Sequence, residues 1–292
     1  MIEGAAPHAP RVMGIVNVTP DSFSDGGRYD TTERAVAHGR ALLAEGADLL
    51  DIGGESTRPG ATRPLVAEEL DRVVPVIREL VGGGAVVSVD TMRAEVAEAA
   101  LAAGAAIVND VSGGRADPRI LEVVAATGAT YVAMHWRAHA DRMQDFTDYS
   151  PDGVVATVRH ELGERLAAAE AAGVARERIV LDPGLGFAKE PHHNWELLRN
   201  LDVLRDLGCP LLVGASRKSF LGALLAADGV ARPVDDREHA HAALVAVLAG
   251  RRVDVLRVHD VRATRDALAV AAAMGVRRED EPHLPTHRSD ER

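Results

Sequence analysis

The sequence predicts an α/β fold, a single (β/α)8 TIM barrel in which parallel strands alternate with helices. Eight short apolar runs recur along the chain, and Ala-, Leu- and Glu-rich stretches of helical character separate them. The length of 292 residues suits one such domain, and 47% hydrophobic residues can fill its core. The predicted strands are Val12–Asn17, Ala47–Ile52, Ala85–Asp90, Ala106–Asp110, Thr130–His135, Arg178–Asp182, Pro210–Gly214 and Val253–Val258.

The domain boundaries follow from where this alternation begins and ends. Residues 1–10 are expected to form a flexible lead, residues 11–275 the barrel, and residues 276–292 a charged, disordered tail. Two polar loops, Asn17–Gly27 after the first strand and Gly53–Pro64 after the second, are longer than a strand-to-helix connection needs. We expect both loops to be mobile.

Composition narrows the class of protein. A formal net charge of −11 argues against nucleic acid as a partner, because phosphate backbones select positive surfaces. The single cysteine, Cys209, follows a helical stretch beside an apolar run and is expected to be a small core residue. No apolar stretch reaches the roughly 18 residues that a membrane span needs. These features predict a cytoplasmic enzyme without a membrane partner.

The predicted strands end in residues that can recognise a heterocycle. Asp90 and Asp182 follow the third and sixth strands, and Asn109 lies at the end of the fourth. An ionised carboxylate accepts paired hydrogen bonds from an N–H/NH2 edge such as that of a 2-amino-4-oxopyrimidine ring. Taken singly, each Asp could instead cap a helix or begin a turn. Their convergence on one barrel rim favours binding.

Cations and one amide follow other strands. Lys218 lies at a predicted helix start after the seventh strand, and Arg257 and His259 alternate at the end of the eighth. Alternation places both on one side of the rim, where barrels often bind phosphate. Asn17 ends the first strand and offers an oxygen of the kind that Mg2+ prefers. The alternatives are solvated rim charges and, for Asn17, an ordinary turn residue.

Two further polar residues are assigned to structure. His135, after the fifth strand, is interpreted as a structural or supporting residue, and Lys189 as a solvated surface charge. The spacings of His192 with His193 and of His239 with His241 place no two imidazoles at i and i+4, so a zinc site is not expected.

Seven motifs occur in order along the predicted barrel. They are MGIVNVTPDSFSDGG (13–27), DIGGESTRPG (51–60), VSVDT (87–91), IVNDVSGG (107–114), LDPGLGFAK (181–189), GASRKSFLG (214–222) and RVHDV (257–261). Together they resemble the motifs of the dihydropteroate synthase family. The resemblance implies a transferase that condenses 6-hydroxymethyl-7,8-dihydropterin diphosphate with p-aminobenzoate. The products would be 7,8-dihydropteroate and pyrophosphate, with Mg2+ as cofactor, in folate biosynthesis. It also implies sulfonamide inhibition and a homodimer.

The resemblance also assigns roles to single residues. Asp90, Asn109, Asp182 and Lys218 would hold the pterin ring, Asn17 the metal, and Arg257 and His259 the diphosphate, with Thr57 beside it. Phe23, Thr57, Arg58, Pro59 and Ser216 would line the aminobenzoate side. Asp25, Arg58, Asp90 and Lys218 would take part in a dissociative, SN1-like substitution.

Two alternatives share parts of this pattern. A pterin-dependent methyltransferase would keep the pterin-binding Asp and Asn but would not need the two long loops or the RVH diphosphate contacts. A non-catalytic pterin-binding paralogue would show eroded loops or a lost Lys or Asp. The motifs here are intact, which favours the synthase.

Overall fold

The computed structural model describes residues 9–19, 28–55, 63–139 and 142–276. The predicted lead and tail lie almost entirely outside these residues, as do most of the two long loops. The strands are β1 (Arg11–Asn17), β2 (Leu49–Gly53), β3 (Val87–Asp90), β4 (Ile107–Asp110), β5 (Thr130–Met134), β6 (Ile179–Asp182), β7 (Leu212–Val213) and β8 (Val255–Val258). The helices are α1 (Arg28–Ala44), α2 (Val66–Gly82), α3 (Ala94–Ala102), α4 (Arg119–Thr127), α5 (Val154–Ala171), α6 (Pro191–Arg199), α7 (Leu201–Arg205), α8 (Ser219–Leu224), α9 (Glu238–Leu248) and α10 (Val261–Ala273).

The strands form one parallel sheet that closes on itself. Their order is β6-β5-β4-β3-β2-β1-β8-β7, and the two ends meet where Leu181 bridges Leu211 in parallel. The Leu181 amide also donates to the Pro210 carbonyl at 2.9 Å. Closure leaves no sheet edge open, which confirms the predicted (β/α)8 barrel.

Each predicted apolar run overlaps one observed strand, and the seventh is shorter than expected. Pro210–Gly214 was the predicted range, but the ladder covers only Leu212–Val213. Proline has no amide hydrogen and cannot donate to a ladder. The Leu211 amide donates instead to the Asp254 carboxylate at 2.8 Å, outside the sheet.

The hydrophobic residues separate into two layers. Strand residues that face outward pack against the helices in one large core, which includes Val12, Leu50, Val89, Tyr131 and Leu256. A smaller core fills one end of the barrel interior and contains Met13, Leu49, Ile107, Val132, Val180, Leu212 and Val255. Cys209 is buried as predicted. Across the described part of the chain, none of the helices combines the length and apolar character that crossing a bilayer requires.

Candidate active site

The smaller core at one end of the barrel interior forms an apolar floor, and it predicts where the polar residues lie. Side chains two residues apart on a strand share a face, so the residues two positions past the floor form the next interior layer. On β2, β4, β6 and β8 these residues are Asp51, Asn109, Asp182 and Arg257. Four polar side chains from four strands therefore converge inside one barrel.

Arg257 lies between two carboxylates in this layer. Its Nε donates to Asp51 Oδ2 at 2.6 Å, and its Nη2 donates to Asp90 Oδ2 at 2.8 Å. Asp51 Oδ2 also accepts a hydrogen bond from Asn109 Nδ2 at 2.9 Å. Asp51 lies in the predicted strand Ala47–Ile52, and no role was predicted for it. The structure places it beside two of the predicted site residues, Arg257 and Asn109, and its Oδ2 holds both.

Burial and neighbouring charges shift the pKa values of Arg257 and Asp90. Burial lowers the pKa of a cation, but the carboxylates of Asp51 and Asp90 outweigh it and raise the pKa of Arg257. Burial raises the pKa of Asp90 to about 7, with Arg257 opposing the rise and Asp51 adding to it. Arg257 is therefore a permanent cation, whereas Asp90 titrates near neutral pH.

Asn17 lies next to Asp90 at the rim. The strand register pairs Asn17 with Gly53 and Gly53 with Asp90. A Cβ atom on Gly53 would meet Asp90 Oδ2 at 3.7 Å and Asn17 Oδ1 at 3.9 Å. The missing side chain of Gly53 thus leaves a space that two oxygen ligands border.

Asp182 and Lys218 form the opposite side of the site. Burial raises the pKa of Asp182, and Gly184, whose amide donates to Asp182 Oδ1 at 2.7 Å, opposes the rise. Burial and then Arg257 lower the pKa of Lys218 to about 8, while Asp182 opposes this change. The Lys218 ammonium lies 4.1 Å from the centre of the Phe187 ring. A carboxylate, an ammonium and an aromatic face thus occur together.

An apolar wall completes this side. Met92, Val111 and Met134 form a small buried cluster, against which Trp136 and Phe187 pack. Such a wall with a few convergent polar groups is typical of a pocket for a flat heterocycle.

Ser216 and His259 are joined directly. Ser216 Oγ accepts the His259 amide at 3.2 Å and lies 2.9 Å from His259 Nδ1. Burial, with help from the nearby cations Arg217 and Arg257, lowers the pKa of His259 to about 2. A neutral imidazole that accepts the Ser216 hydroxyl at Nδ1 carries its hydrogen on Nε2, where it can donate to an anion. Arg217 itself is exposed.

Lys189 contradicts its sequence-based interpretation. It was expected to be a solvated surface charge, but it is only 5% exposed. Its ammonium contacts His135 Nδ1 at 2.9 Å and the carbonyls of Gly184 and Phe187 at 3.0 Å each. Three converging acceptors hold the cation inside the protein. His135 is buried, and its two ring nitrogens contact Lys189 and Glu161, which agrees with a supporting role.

Five predicted site residues lie outside the described part of the chain. They belong to the two long loops, and they are Phe23, Asp25, Thr57, Arg58 and Pro59. The structure brings together Asp90, Asn109 and Arg257, pairs Ser216 with His259, and places Asp182 near Lys218.

Comparison with known proteins gives one consistent family. The profile of the family described as Pterin binding enzyme matches residues 13–259. Dihydropteroate synthase of Mycobacterium leprae is 54% identical over 265 residues, which cover 90% of this chain and 93% of that protein.

Solved structures agree with this match. Xanthomonas albilineans dihydropteroate synthase with 4-aminobenzoic acid superposes with a TM-score of 0.84 at 49% identity, covering 91% of this chain and 93% of that one. The Yersinia pestis dihydropteroate synthase in a sulfonamide drug complex gives 0.83 at 40% identity, covering 91% and 94%.

Proposed function

The chain belongs to the family of pterin binding enzymes, and from that premise we propose that it is a dihydropteroate synthase of folate biosynthesis. It condenses 6-hydroxymethyl-7,8-dihydropterin diphosphate with p-aminobenzoate and releases 7,8-dihydropteroate and pyrophosphate. The observation that carries the proposal is the interior polar layer. Asp182 and Arg257 belong to that layer, and Asp90 and Lys218 lie beside it. Carboxylates suited to a pterin edge and cations suited to a diphosphate therefore occur within one barrel.

Pterin recognition is assigned to four residues. The carboxylates of Asp90 and Asp182 accept hydrogen bonds from ring N–H and amino groups, since an ionised carboxylate offers only acceptors. Asn109 has Nδ2 engaged by Asp51, so its Oδ1 is the atom that faces a ring donor. Lys218, next to the Phe187 ring, donates to a ring oxygen or nitrogen on the other side.

In the chemical step the main contribution of the protein is electrostatic stabilisation of the leaving diphosphate. The bond between the pterin methylene carbon and the diphosphate oxygen breaks, and its electron pair leaves with pyrophosphate. The aryl amine nitrogen then forms a bond to the methylene carbon and loses a proton, which the released pyrophosphate can accept. Arg257 and the Nε2 hydrogen of His259 stabilise the leaving diphosphate. A guanidinium has five N–H donors, so contact with two carboxylates leaves donors for a phosphate oxygen.

The pterin carries positive charge once the diphosphate leaves. The ionised form of Asp90 has the sign needed to stabilise that cation, and Asp25 in the first loop is assigned a supporting part. This favours a dissociative, SN1-like path. We propose that the two loops would close and exclude water, which would otherwise trap the cation.

Mg2+ fits the residues at Gly53. Asn17 Oδ1 and Asp90 Oδ2 border the space above that glycine, and oxygen is the ligand type that Mg2+ prefers. Mg2+ is commonly held by one or two protein oxygens together with substrate phosphates and waters, which this pair allows. Bound Mg2+ would offset negative charge on the departing diphosphate.

The aminobenzoate site is assigned to the loops and to Ser216. Phe23, Thr57, Arg58 and Pro59 would close over the aminobenzoate, and Arg58 would take part in turnover. Sulfonamides carry an aryl amine opposite an acidic group, as aminobenzoate does. They are therefore expected to compete for this site, which accords with the sulfonamide complex of the Yersinia pestis enzyme.

A homodimer in the cytoplasm is part of the proposal. Helices α9 and α10 pack together and carry exposed apolar residues, with Val247 61% and Val270 62% exposed and Met274, just after α10, 77% exposed. Where exposed apolar side chains form a continuous patch they mark an interface, and we propose that these residues form one with a second copy of the chain. Light scattering after gel filtration tests the dimer, and an equal mass for wild type and Val270→Asp would contradict this surface. A reducing compartment suits the single buried thiol of Cys209.

Pyrophosphate release tests the activity. Purified protein with dihydropterin diphosphate, p-aminobenzoate and Mg2+ should release pyrophosphate only when both substrates are present. Lys218→Ala should abolish release, whereas Arg119→Ala, an exposed cation on α4, should not change it. No release with pterin diphosphate still bound in calorimetry would favour the non-catalytic paralogue. Loss of both would overturn the proposed function.

A further inference from the structure

The use of lysine in this chain is unusual. Of its 33 lysine and arginine residues, 31 are arginine, and only Lys189 and Lys218 are lysine. Lys218 belongs to the proposed pterin site. Lys189 is 5% exposed and lies in the turn between β6 and α6. A chain that uses arginine for nearly every cation has a lysine at a buried position that the proposed mechanism does not use.

The surroundings of Lys189 suit an ammonium and not a guanidinium. Its Nζ meets three acceptors, His135 Nδ1 and the carbonyls of Gly184 and Phe187, at 2.9 to 3.0 Å. An ammonium has three hydrogens on one atom, which matches three acceptors that converge on one point. A guanidinium spreads its donors over a larger plane and does not fit that point.

The protonation states of Lys189, His135 and Glu161 are consistent with one another. If His135 Nδ1 accepts from Lys189, its Nε2 carries the hydrogen and donates to Glu161 Oε2 at 2.8 Å. Burial and then Lys189 lower the pKa of His135 to about 3, which keeps the imidazole neutral. Burial raises the pKa of Glu161, but hydrogen bonds from His135 and Arg137 outweigh it and lower the pKa to about 2. The result is an ammonium joined through a neutral imidazole to a carboxylate.

The turn from Pro183 to Ala188 is held from a second side. Arg137 donates to both carboxylate oxygens of Glu161 and lies 4.1 Å from the centre of the Tyr149 ring. The Tyr149 hydroxyl donates to the Ala188 carbonyl at 2.9 Å. The Lys189 bonds and the Tyr149 bond therefore fix three carbonyls of a turn of six residues.

This turn carries a wall of the proposed pterin pocket. Phe187 packs against the Met92, Val111 and Met134 cluster, and its ring faces the Lys218 ammonium at 4.1 Å. Lys189 holds the carbonyl of Phe187 itself. The ring that faces Lys218 therefore belongs to the same turn whose carbonyls Lys189 holds.

We infer that Lys189 is a positioning residue, which through its bonds to Gly184, Phe187 and His135 holds the Phe187 ring against Lys218 and so shapes the pterin pocket. That Lys189 holds the Phe187 ring against Lys218 is a statement about geometry alone. The effect on pterin binding rests on the proposed function, so the two parts are tested separately.

The ionisation of Lys189 agrees with this assignment. Burial lowers its pKa to about 7. Asp182 and Glu161 favour the charged form, while Arg137 and Lys218 oppose it, and His135 is the neutral neighbour. The carboxylates of Asp182 and Glu161 therefore offset part of the cost that burial places on the cation.

The two lysines allow a direct measurement. Protein labelled with 13C at lysine Cε should give only two side-chain NMR environments, one for each residue. Phe187→Leu removes the ring and shows how far the Lys218 signal moves when the ring current is lost. Lys189→Met keeps a similar length without donors, and it should move the remaining Lys218 signal toward the Phe187→Leu position. A folded Lys189→Met protein whose Lys218 signal is unchanged would overturn the inference.

A second variant covers the case in which Lys189→Met does not fold. Glu161→Gln leaves residues 183–189 intact and removes the charge at the far end of the chain of hydrogen bonds. Because Glu161 favours the charged form of Lys189, the titration midpoint of Lys189 should fall in this variant. An unchanged midpoint would contradict the linkage through His135.

Kinetics test the consequence for the pterin pocket. In Lys189→Met and Lys189→Arg, the KM for pterin diphosphate should rise about tenfold or more, since misplacing a binding group by about 1 Å has effects of that size. The KM for aminobenzoate should stay within about twofold, and Arg199→Met, an exposed cation on α6, should match wild type. Full rescue by Lys189→Arg would show that charge alone suffices and would overturn the positioning role. An inactive wild type would refute the synthase and leave the NMR result to decide the geometry.

Discussion

Asp51 gives the most direct test of how the barrel interior is built. It is fully buried, and its Oδ2 accepts from Arg257 at 2.6 Å and from Asn109 at 2.9 Å. Its Oδ1 has no hydrogen-bond partner within the described residues. In Asp51→Asn the amide oxygen can keep both accepted bonds, and the amide nitrogen takes a place where no bond is broken. The substitution therefore removes charge with little change of shape.

The size of the effect follows from that difference. In Asp51→Asn the bond from Asn109 becomes a neutral one, while the bond from Arg257 keeps its charged donor. A hydrogen bond to a charged group contributes about 1.5–3 kcal/mol and a neutral one about 0.5–1.5 kcal/mol, so this one change should lower the free energy of unfolding by about 1–2 kcal/mol. Asp51→Ala also removes both acceptors and leaves Arg257 with Asp90 alone, so a loss of about 3–5 kcal/mol is expected. Urea denaturation measures both values. In the folded Asp51→Asn protein, calorimetry should show weaker binding of pterin diphosphate, because Arg257 and Asn109 lose their shared anchor.

Asp48 supplies the matched control. It lies at the other end of the barrel, where its Oδ2 accepts from the Val12 amide and from Arg265 at 2.7 Å each. Asp48→Asn should also lower the free energy of unfolding but leave the affinity for pterin diphosphate unchanged. If the two Asn variants lose equal stability and neither loses affinity, the anchoring role of Asp51 is refuted.

Three further predictions concern the rim. Gly184 has a φ of +65°, and a Cβ there would lie 2.3 Å from the His135 carbonyl, so Gly184→Ala should lower the free energy of unfolding by about 2 kcal/mol or more, measured in urea. Because the pKa of Asp90 is raised to about 7 and only its carboxylate accepts two ring donors, pterin affinity should fall as the pH drops through that value. Asp90→Asn should bind pterin diphosphate more weakly and without this pH dependence. If the affinity of the wild-type protein does not change between about pH 6 and pH 8, the prediction is contradicted. Lys218→Ala should weaken pterin binding in calorimetry, whereas Arg58→Ala should leave it intact and reduce turnover, and equal losses of affinity would refute that division.

The fold could be predicted because its signals are local. Each strand of a closed parallel barrel is buried on both sides, so its sequence is a short apolar run such as that of β5, Thr130–Met134. The length of a strand was less predictable, as β7 shows, because pairing depends on partners far along the chain. Asp254, which takes the Leu211 amide out of the sheet, is more than forty residues away.

The site could be predicted in its membership but not in its contacts. Strand ends identify Asp90, Asn109 and Arg257 as neighbours, because the carboxyl ends of parallel strands share one rim. That Arg257 lies between two carboxylates depends on strand register, which a single sequence does not give. The role of Asp51 had a usable signal, since it lies two residues past Leu49 and so shares the face of a floor residue.

Lys189 shows why burial of a charge is the hardest property to infer from a sequence. Its neighbours along the chain, Ala188 and Glu190, give no sign of an apolar environment, and the acceptors that hold it include a histidine 54 positions away. The composition of the whole chain nevertheless indicates that Lys189 is unusual, which its sequence neighbours do not. When 31 of 33 strong cations are arginine, solvent-exposed positions are evidently served by arginine, so the two lysines mark places where a compact ammonium is required. Both lie in the described structure next to Phe187, one through its ring and one through its carbonyl, which is what a pocket built around a compact cation requires.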